Sequence, residues 1–235
     1  MPIDKVFPSG SAAVADVPDG AVVMIGGFGG PGGMPSLLIL ALRDQGAKRL
    51  TVIANSAGLP GFGARKGQDA VNSSVLFANK QVSKVIASFP APRSPSVASE
   101  FQKAWRAGEV ELEVVPQGTL AERIRAGGAG IAAFYTPTGA GTVLAEGKDV
   151  REFDGRQHVL ERALTADFAL IRAHRADRLG NLVYRGTSRN FNPIMAMAAR
   201  VTIAEVDEVV EPGALDPEAV VTPGIFVKRV VVRTP

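Results

Sequence analysis

Cysteine is absent from the 235-residue chain. That removes thiol nucleophiles, cysteine-based metal sites and disulfides together, and it fits a cytoplasmic setting. Histidine occurs only twice, at His158 and His174. Neither stands in a spacing of acidic residues that a metal would need, so no metal is expected. No Gly-x-Ser-x-Gly elbow is present to pair with either as the base of a serine hydrolase. Charge of one sign is scarce as well. The 26 basic residues are set against 23 acidic ones, with no basic run or arginine stripe, which argues against nucleic acid as a partner. No apolar run reaches the roughly 20 residues that span a bilayer. The opening stretch MPIDKVFPSGSAAVADVPDG lacks the apolar segment of a secretory signal.

What the chain does have is apolar residues, 46% of the total. That suits one α/β domain covering residues 1–235 with a sizeable core. Runs rich in Val and Ile predict strands at 21–25, 50–54, 83–88, 111–115, 130–135, 168–173 and 201–206. Helical patterns lie between several of them. PSLLILALRDQG opens on Pro35, where a missing N–H is harmless, and closes near Gly46. SPSVASEFQKAWRAG closes in the same way at Gly108, and Trp105 within it reads as packing. In GTLAERIRAGG, Thr119 is expected to cap the helix with Glu122 three residues on. In NPIMAMAAR, Asn192 is expected to be the cap. The alternation predicts an open, mostly parallel sheet with helices on both faces. Asp154-Gly155, between two semi-alternating arms, predicts an antiparallel hairpin excursion. Arg172, Arg175 and Arg178 read as a solvated or intersubunit charge cluster.

The most informative stretch is AVVMIGGFGGPGGMPSLLILAL, residues 21–42. Six glycines (Gly26, Gly27, Gly29, Gly30, Gly32 and Gly33) fall within eight positions at the carboxyl end of a predicted strand. Glycine permits positive φ and close backbone approach at an entropic cost. Two readings fit: a tight strand-to-helix connection, or a backbone surface pressed against a ligand at the sheet edge where ligands collect in such folds. A dinucleotide-binding version needs an acidic residue about 20 positions on, at the end of the second strand. LTVIANSAG ends instead in Asn55 and Ser56. Pro31 also removes one N–H donor from the loop, and no Gly-Lys-Ser/Thr follows to make a Walker loop.

DGAVVMIGGFGGPGGMP resembles the N-terminal signature of the family I CoA-transferases. LTVIANSAG, VPQGTLAERIRAGGAGIAAFYTPTGAGT, DFALIRAHRADRLGNLVYRGTSRNFNP and VTPGIFVKRVV follow in the family's order. The resemblance runs from about Asp16 to Val232 and is to the A-type (alpha) subunits that act on 3-oxo acids. The family spacing places one residue between the later glycine and the proline; here one more precedes Pro35. The resemblance implies an enzyme that moves CoA from succinyl-CoA to a 3-oxo acid, acetoacetate or 3-oxoadipate. CoA would be carried transiently as a thioester on a glutamate, with no permanently bound cofactor. That glutamate belongs to a Ser-Glu-Asn-Gly motif of the B-type subunit, which is absent here. Glu100, Glu122 and Glu146 lie in unrelated contexts, so a partner subunit is expected to complete the site. By the same resemblance, Gly26, Gly27, Phe28, Gly29, Gly30, Pro31 and Gly32 are expected to meet CoA. Asn55, Ser56 and Gln117 are expected to position substrate, and the TPTGAG loop (136–141) to form a pocket wall. A non-catalytic ligand-binding or regulatory module on the same fold is the alternative, and it too would lack the glutamate.

Overall fold

A computed structural model describes residues 3–28, 32–59, 71–91 and 98–233. In chain order its helices are α1 (Gly10–Val14), α2 (Ser36–Gln45), α3 (Ser74–Ala78), α4 (Glu100–Arg106), α5 (Gln117–Gly128) and α6 (Asn192–Ala198). Its first seven strands are β1 (Val22–Ile25), β2 (Leu50–Ser56), β3 (Val82–Phe89), β4 (Glu111–Val114), β5 (Ala133–Thr136), β6 (Val150–Phe153) and β7 (Arg156–Arg162). The rest are β8 (Ala166–Arg172), β9 (Arg175–Asp177), β10 (Leu182–Val183), β11 (Ala199–Val206), β12 (Glu208–Val210) and β13 (Arg229–Val232).

Seven strands form one sheet in the order β13-β11-β8-β1-β2-β3-β4, and every pairing in it is parallel. The near-continuous apolar runs follow from burial on both faces. Val23, Ile25, Val52, Val85 and Leu170 turn to one side, where α1 to α4 supply Val14, Leu38, Leu42, Leu76 and Phe101. The alternate residues Met24, Ile53, Ile86 and Ile171 turn to the other, where α5 and α6 supply Leu120, Ile124 and Met195. A parallel, two-faced sheet of this kind places all its strands' carboxyl ends along one edge, with β1 near the middle.

The expected hairpin is present as β6 and β7, with Asp154 and Gly155 both at positive φ in the turn. One expectation is corrected: the strand predicted at 130–135 is β5, which leaves the main sheet and pairs antiparallel with β7. Arg123 of α5 docks this small sheet, donating to Arg162 O at 2.7 Å and pairing with Glu113 at 2.7 Å. A third sheet, β10-β9-β12, was not anticipated, nor was β13. Two- and three-residue strands carry too little alternation to register. β13 sits in the block VTPGIFVKRVV, whose proline and charges interrupt the apolar run.

Helix ends follow the expected chemistry in part. Gly46 ends α2 at φ +88°, its N–H bonded to Leu42 O. Gly108 follows α4 at φ +73°. Two caps are corrected. α5 begins three residues earlier than expected, with Pro116 at its N-cap, so Thr119 lies inside the helix and Glu122 pairs with Arg125. Asn192 is the first helical residue of α6 and turns its side chain inward instead of capping. Trp105 is corrected too: Phe101 fills the core, whereas Trp105, one turn later, is 49% exposed. The arginine cluster consists of separate intramolecular pairs, Arg172 with Asp207, Arg175 with Glu208 and Arg178 with Asp4.

Candidate active site

The carboxyl edge of the sheet brings the sequence-predicted residues together. Ile25 is opposite Ala54 in the β1–β2 register and opposite Leu170 in the β1–β8 register. Gly26 therefore stands beside Asn55 on one flank and Ile171 on the other, about 5 Å from each across the ladder. Gln117, first residue of α5, donates from Nε2 to Asn55 Oδ1 at 2.8 Å across 62 residues of sequence. Asn55 is buried. With its oxygen taken, its Nδ2 donates to no other group among the described residues. Ser56 closes β2 opposite Phe89, and its side chain makes no hydrogen bond among the described residues.

The glycine loop leaves β1 here. A Cβ on Gly26 would lie 1.8 Å from Asn192 Oδ1, and one on Gly27 would lie 2.0 Å from Met34 Sδ, at φ +110°. Gly29, Gly30 and Pro31 lie outside the described residues. The need for glycine at 26 and 27 is thus internal: the missing side chains make room for the protein's own. Fully buried Asn192 ties the stems together. Its Oδ1 accepts from Arg172 N at 3.1 Å, and its Nδ2 donates to Gly33 O at 3.2 Å and Ser188 O at 2.8 Å. Asn190 accepts from Gly27 N at 3.3 Å. It does so at φ 22°, a conformation that non-glycine residues adopt at a cost.

Phe28 emerges from the loop 39% exposed and packs its ring on Phe191, 5.8 Å between centroids. These two rings, with Ala121, Thr187, Asn190 and Ile194, line an open cleft of about 410 Å³. Ala121 is one turn along α5 from Gln117, so an apolar cleft lies next to the amide pair. The TPTGAG loop follows β5 in the small sheet and does not line this cleft.

Charged groups gather one strand further along the edge. Glu205 pairs with Arg172 in the β8–β11 register and is fully buried. Asp207 accepts from Arg172 at 3.0 Å and faces His174 at 3.2 Å. Burial would raise its pKa, but His174 and Arg172 outweigh it and hold the carboxyl below the usual range. Sequence reasoning missed Glu205, Asn190 and the inward role of Asn192. For Glu205 the signal was there: a lone carboxylate inside VTIAEV, a run that otherwise buries itself. Among the described residues, no group of three or more His, Asp or Glu side chains is placed to hold a metal ion.

A model of the coenzyme A transferase family matches residues 9–233. The chain belongs to the coenzyme A transferase family. It is 54% identical over 229 residues to the A-type subunit of the 3-oxoadipate CoA-transferase of Pseudomonas putida, covering 97% of this chain and 94% of that one. It is equally 54% identical over 230 residues to the A-type subunit of a succinyl-CoA:3-ketoacid coenzyme A transferase of Xanthomonas campestris, covering 97% and 89%. An acyl-CoA transferase from E. coli O157:H7, solved as a thioester complex with CoA, shares the fold. Its TM-score is 0.80 at 23% identity, covering 98% of this chain and 47% of that one. This family member therefore spans about half the length of that transferase chain.

Proposed function

We propose that the chain is the A-type subunit of a heteromeric 3-oxoacid CoA-transferase. It moves CoA from succinyl-CoA to acetoacetate or 3-oxoadipate, through a glutamyl-CoA thioester on a partner of the B type. The observation that carries this reading is the Gln117–Asn55 amide pair, set beside the glycine loop at the sheet edge. Of two relatives at 54% identity, one is named for 3-oxoadipate and the other for a 3-ketoacid with succinyl-CoA, which supports a 3-oxo acid as acceptor.

The chemistry needs a carboxylate oxygen to attack the thioester carbonyl. The C–S bond breaks, CoA leaves as thiolate, and an acyl-glutamyl anhydride remains. The thiolate then attacks the glutamyl carbonyl, freeing the carboxylic acid and leaving CoA on the glutamate; the acceptor acid reverses both steps. Negative charge develops on a carbonyl oxygen in each step, and fixed N–H donors stabilise it where water is excluded. Asn55 Nδ2 is such a donor. Gln117 fixes the orientation of the Asn55 amide, and a neutral amide orients a carboxylate without protonating it. The apolar cleft walled by Phe28 and Phe191 suits the pantetheine arm and acyl chain. Glu205 does not serve as nucleophile, because both oxygens face protein groups.

A second polypeptide fits the edge itself. Phe89, opposite Ser56, is 47% exposed, and Val114 at the end of β4 is 42% exposed. Both are apolar and continue the line of the site, a surface that a partner would bury. No helix among the described residues is long and apolar enough to cross a membrane. The test is transfer from succinyl-CoA to a panel of 3-oxo acids, by this chain alone and with a partner carrying Ser-Glu-Asn-Gly. Turnover is expected only from the pair. Binding of CoA thioester by the pair without transfer would favour the binding-module reading, and robust turnover by the chain alone would refute the shared site.

A further inference from the structure

Glu205 is a buried carboxylate to which the transfer chemistry gives no role. It lies near the carboxyl end of β11, wholly enclosed. Its Oε2 accepts from Leu37 N at 2.8 Å and Leu38 N at 3.3 Å. These are first-turn amides of α2, whose N-cap, Pro35, offers no side-chain bond. Glu205 thus supplies from 168 residues away the cap that the local sequence lacks. Its Oε1 faces Arg233 Nε at 3.0 Å without an aligned N–H. Arg172 lies beside it on β8, and Asp207 follows it, bonded in turn to His174 and Arg172.

A cap for α2 alone would not require this. A serine at the N-cap satisfies such amides without burying a charge, and a buried charge is costly. What distinguishes α2 is what it holds: its first turn is the far anchor of the glycine loop. On the near side Asn192 holds Gly33, so the stem from Gly33 to Leu38 is fastened at both ends. We propose that Glu205 is a positioning residue for CoA transfer, its ionised carboxylate fixing the first turn of α2 and so the glycine loop. The proposal rests on the transferase reading above.

The pH dependence separates this role from a merely structural one. Burial pushes the Glu205 pKa up to about 7, against the pull of Arg233, the Leu37 and Leu38 amides and Arg172. A carboxyl whose pKa is raised in the folded state favours folding when protonated. The stability it contributes is present at low pH and declines as pH rises from about 4.5 to about 7. Charge-assisted bonds to the α2 amides strengthen over the same interval. Stability and transfer efficiency should therefore move in opposite directions through neutral pH.

The test uses the assembled enzyme with Glu205→Gln and Glu205→Asp. Gln keeps an acceptor for the amides but cannot ionise. It is expected to melt no lower than wild type at pH 8, yet to lose about 10-fold in kcat/KM for the CoA thioester there. The wild-type rise in kcat/KM through pH 7 should be absent from it. Asp keeps the charge with a shorter reach and should keep that rise at a lower plateau, which serves as the measurement if the Gln variant does not fold. Amide exchange at Leu37 and Leu38, read in the chain alone, should quicken about 10-fold in either variant at pH 8. A wild-type pH profile in Glu205→Gln, or activity falling in step with melting temperature, would overturn the proposal. If the wild-type assembly transfers no CoA, the transferase reading fails instead, and unchanged amide exchange would then overturn the anchoring separately.

Discussion

Gly26→Ala decides between the two explanations for the crowded glycines. The added methyl would sit 1.8 Å from Asn192 Oδ1 and 3.5 Å from the Ile171 backbone. Asn192 cannot yield cheaply. It is fully buried, accepts from Arg172 N and donates to Gly33 O and Ser188 O. Driving its amide aside leaves two or three buried polar groups without partners, at about 1–3 kcal/mol each. Taking a total of about 3 kcal/mol, and a shift of roughly 2–4 °C per kcal/mol at this chain length, the melting temperature should fall by roughly 6–12 °C. The assay is thermal unfolding of the wild type, Gly26→Ala, Asn192→Ala and the double variant. Asn192→Ala vacates the space, so Gly26→Ala should cost far less in that background, with a coupling of about 1–3 kcal/mol. Unchanged melting of Gly26→Ala, with affinity for CoA thioester lost, would refute the packing argument and return Gly26 to the ligand surface.

Gln117→Ala in the assembled enzyme is expected to lower kcat by between about 10-fold and 100-fold with a smaller effect on KM, as loss of support for a transition-state donor should. Asn55→Ala should show a similar or smaller loss. Because the two amides are hydrogen-bonded, the double variant should lose less than the product of the singles, and steady-state kinetics of the four proteins checks this. Gly46→Ala places a side chain at φ +88° in otherwise open space. It should cost about 1 kcal/mol in urea unfolding without changing kcat, and a neutral result would show that the α2 terminus relaxes.

How far the fold was legible depended on length and periodicity. Strands β1, β2, β3, β8 and β11 are apolar on both faces and separated by helices, so their runs predicted a parallel sheet directly. β5 has an Ala- and aromatic-rich run of the same kind, and nothing local says that it pairs with β7 instead of joining the main sheet. The caps at Thr119 and Asn192 failed for different reasons. α5 starts earlier, at Gln117, which leaves the Thr119 hydroxyl buried inside the helix without a partner among the described residues. A polar side chain at a helix start can also serve a tertiary contact instead of the cap, and the sequence does not say which. At Asn192 the tertiary contacts won, with Arg172, Gly33 and Ser188 as partners. The pairing of Gln117 with Asn55 was approached only as two residues expected at one edge. Their hydrogen bond spans 62 residues and depends on where α5 begins. Glu205 shows the opposite case, since one acidic residue within a buried run marked itself, while its partner amides on α2 could not be read from the chain.

The central claim is that this chain supplies the amides and the glycine loop of a transferase site whose nucleophile belongs to a partner polypeptide. Intact-mass measurement of both chains after incubating the assembled pair with succinyl-CoA tests it directly. The account predicts a CoA thioester adduct on the partner and none on this chain, with the adduct discharged when a 3-oxo acid is added. A CoA adduct carried by this chain would contradict it.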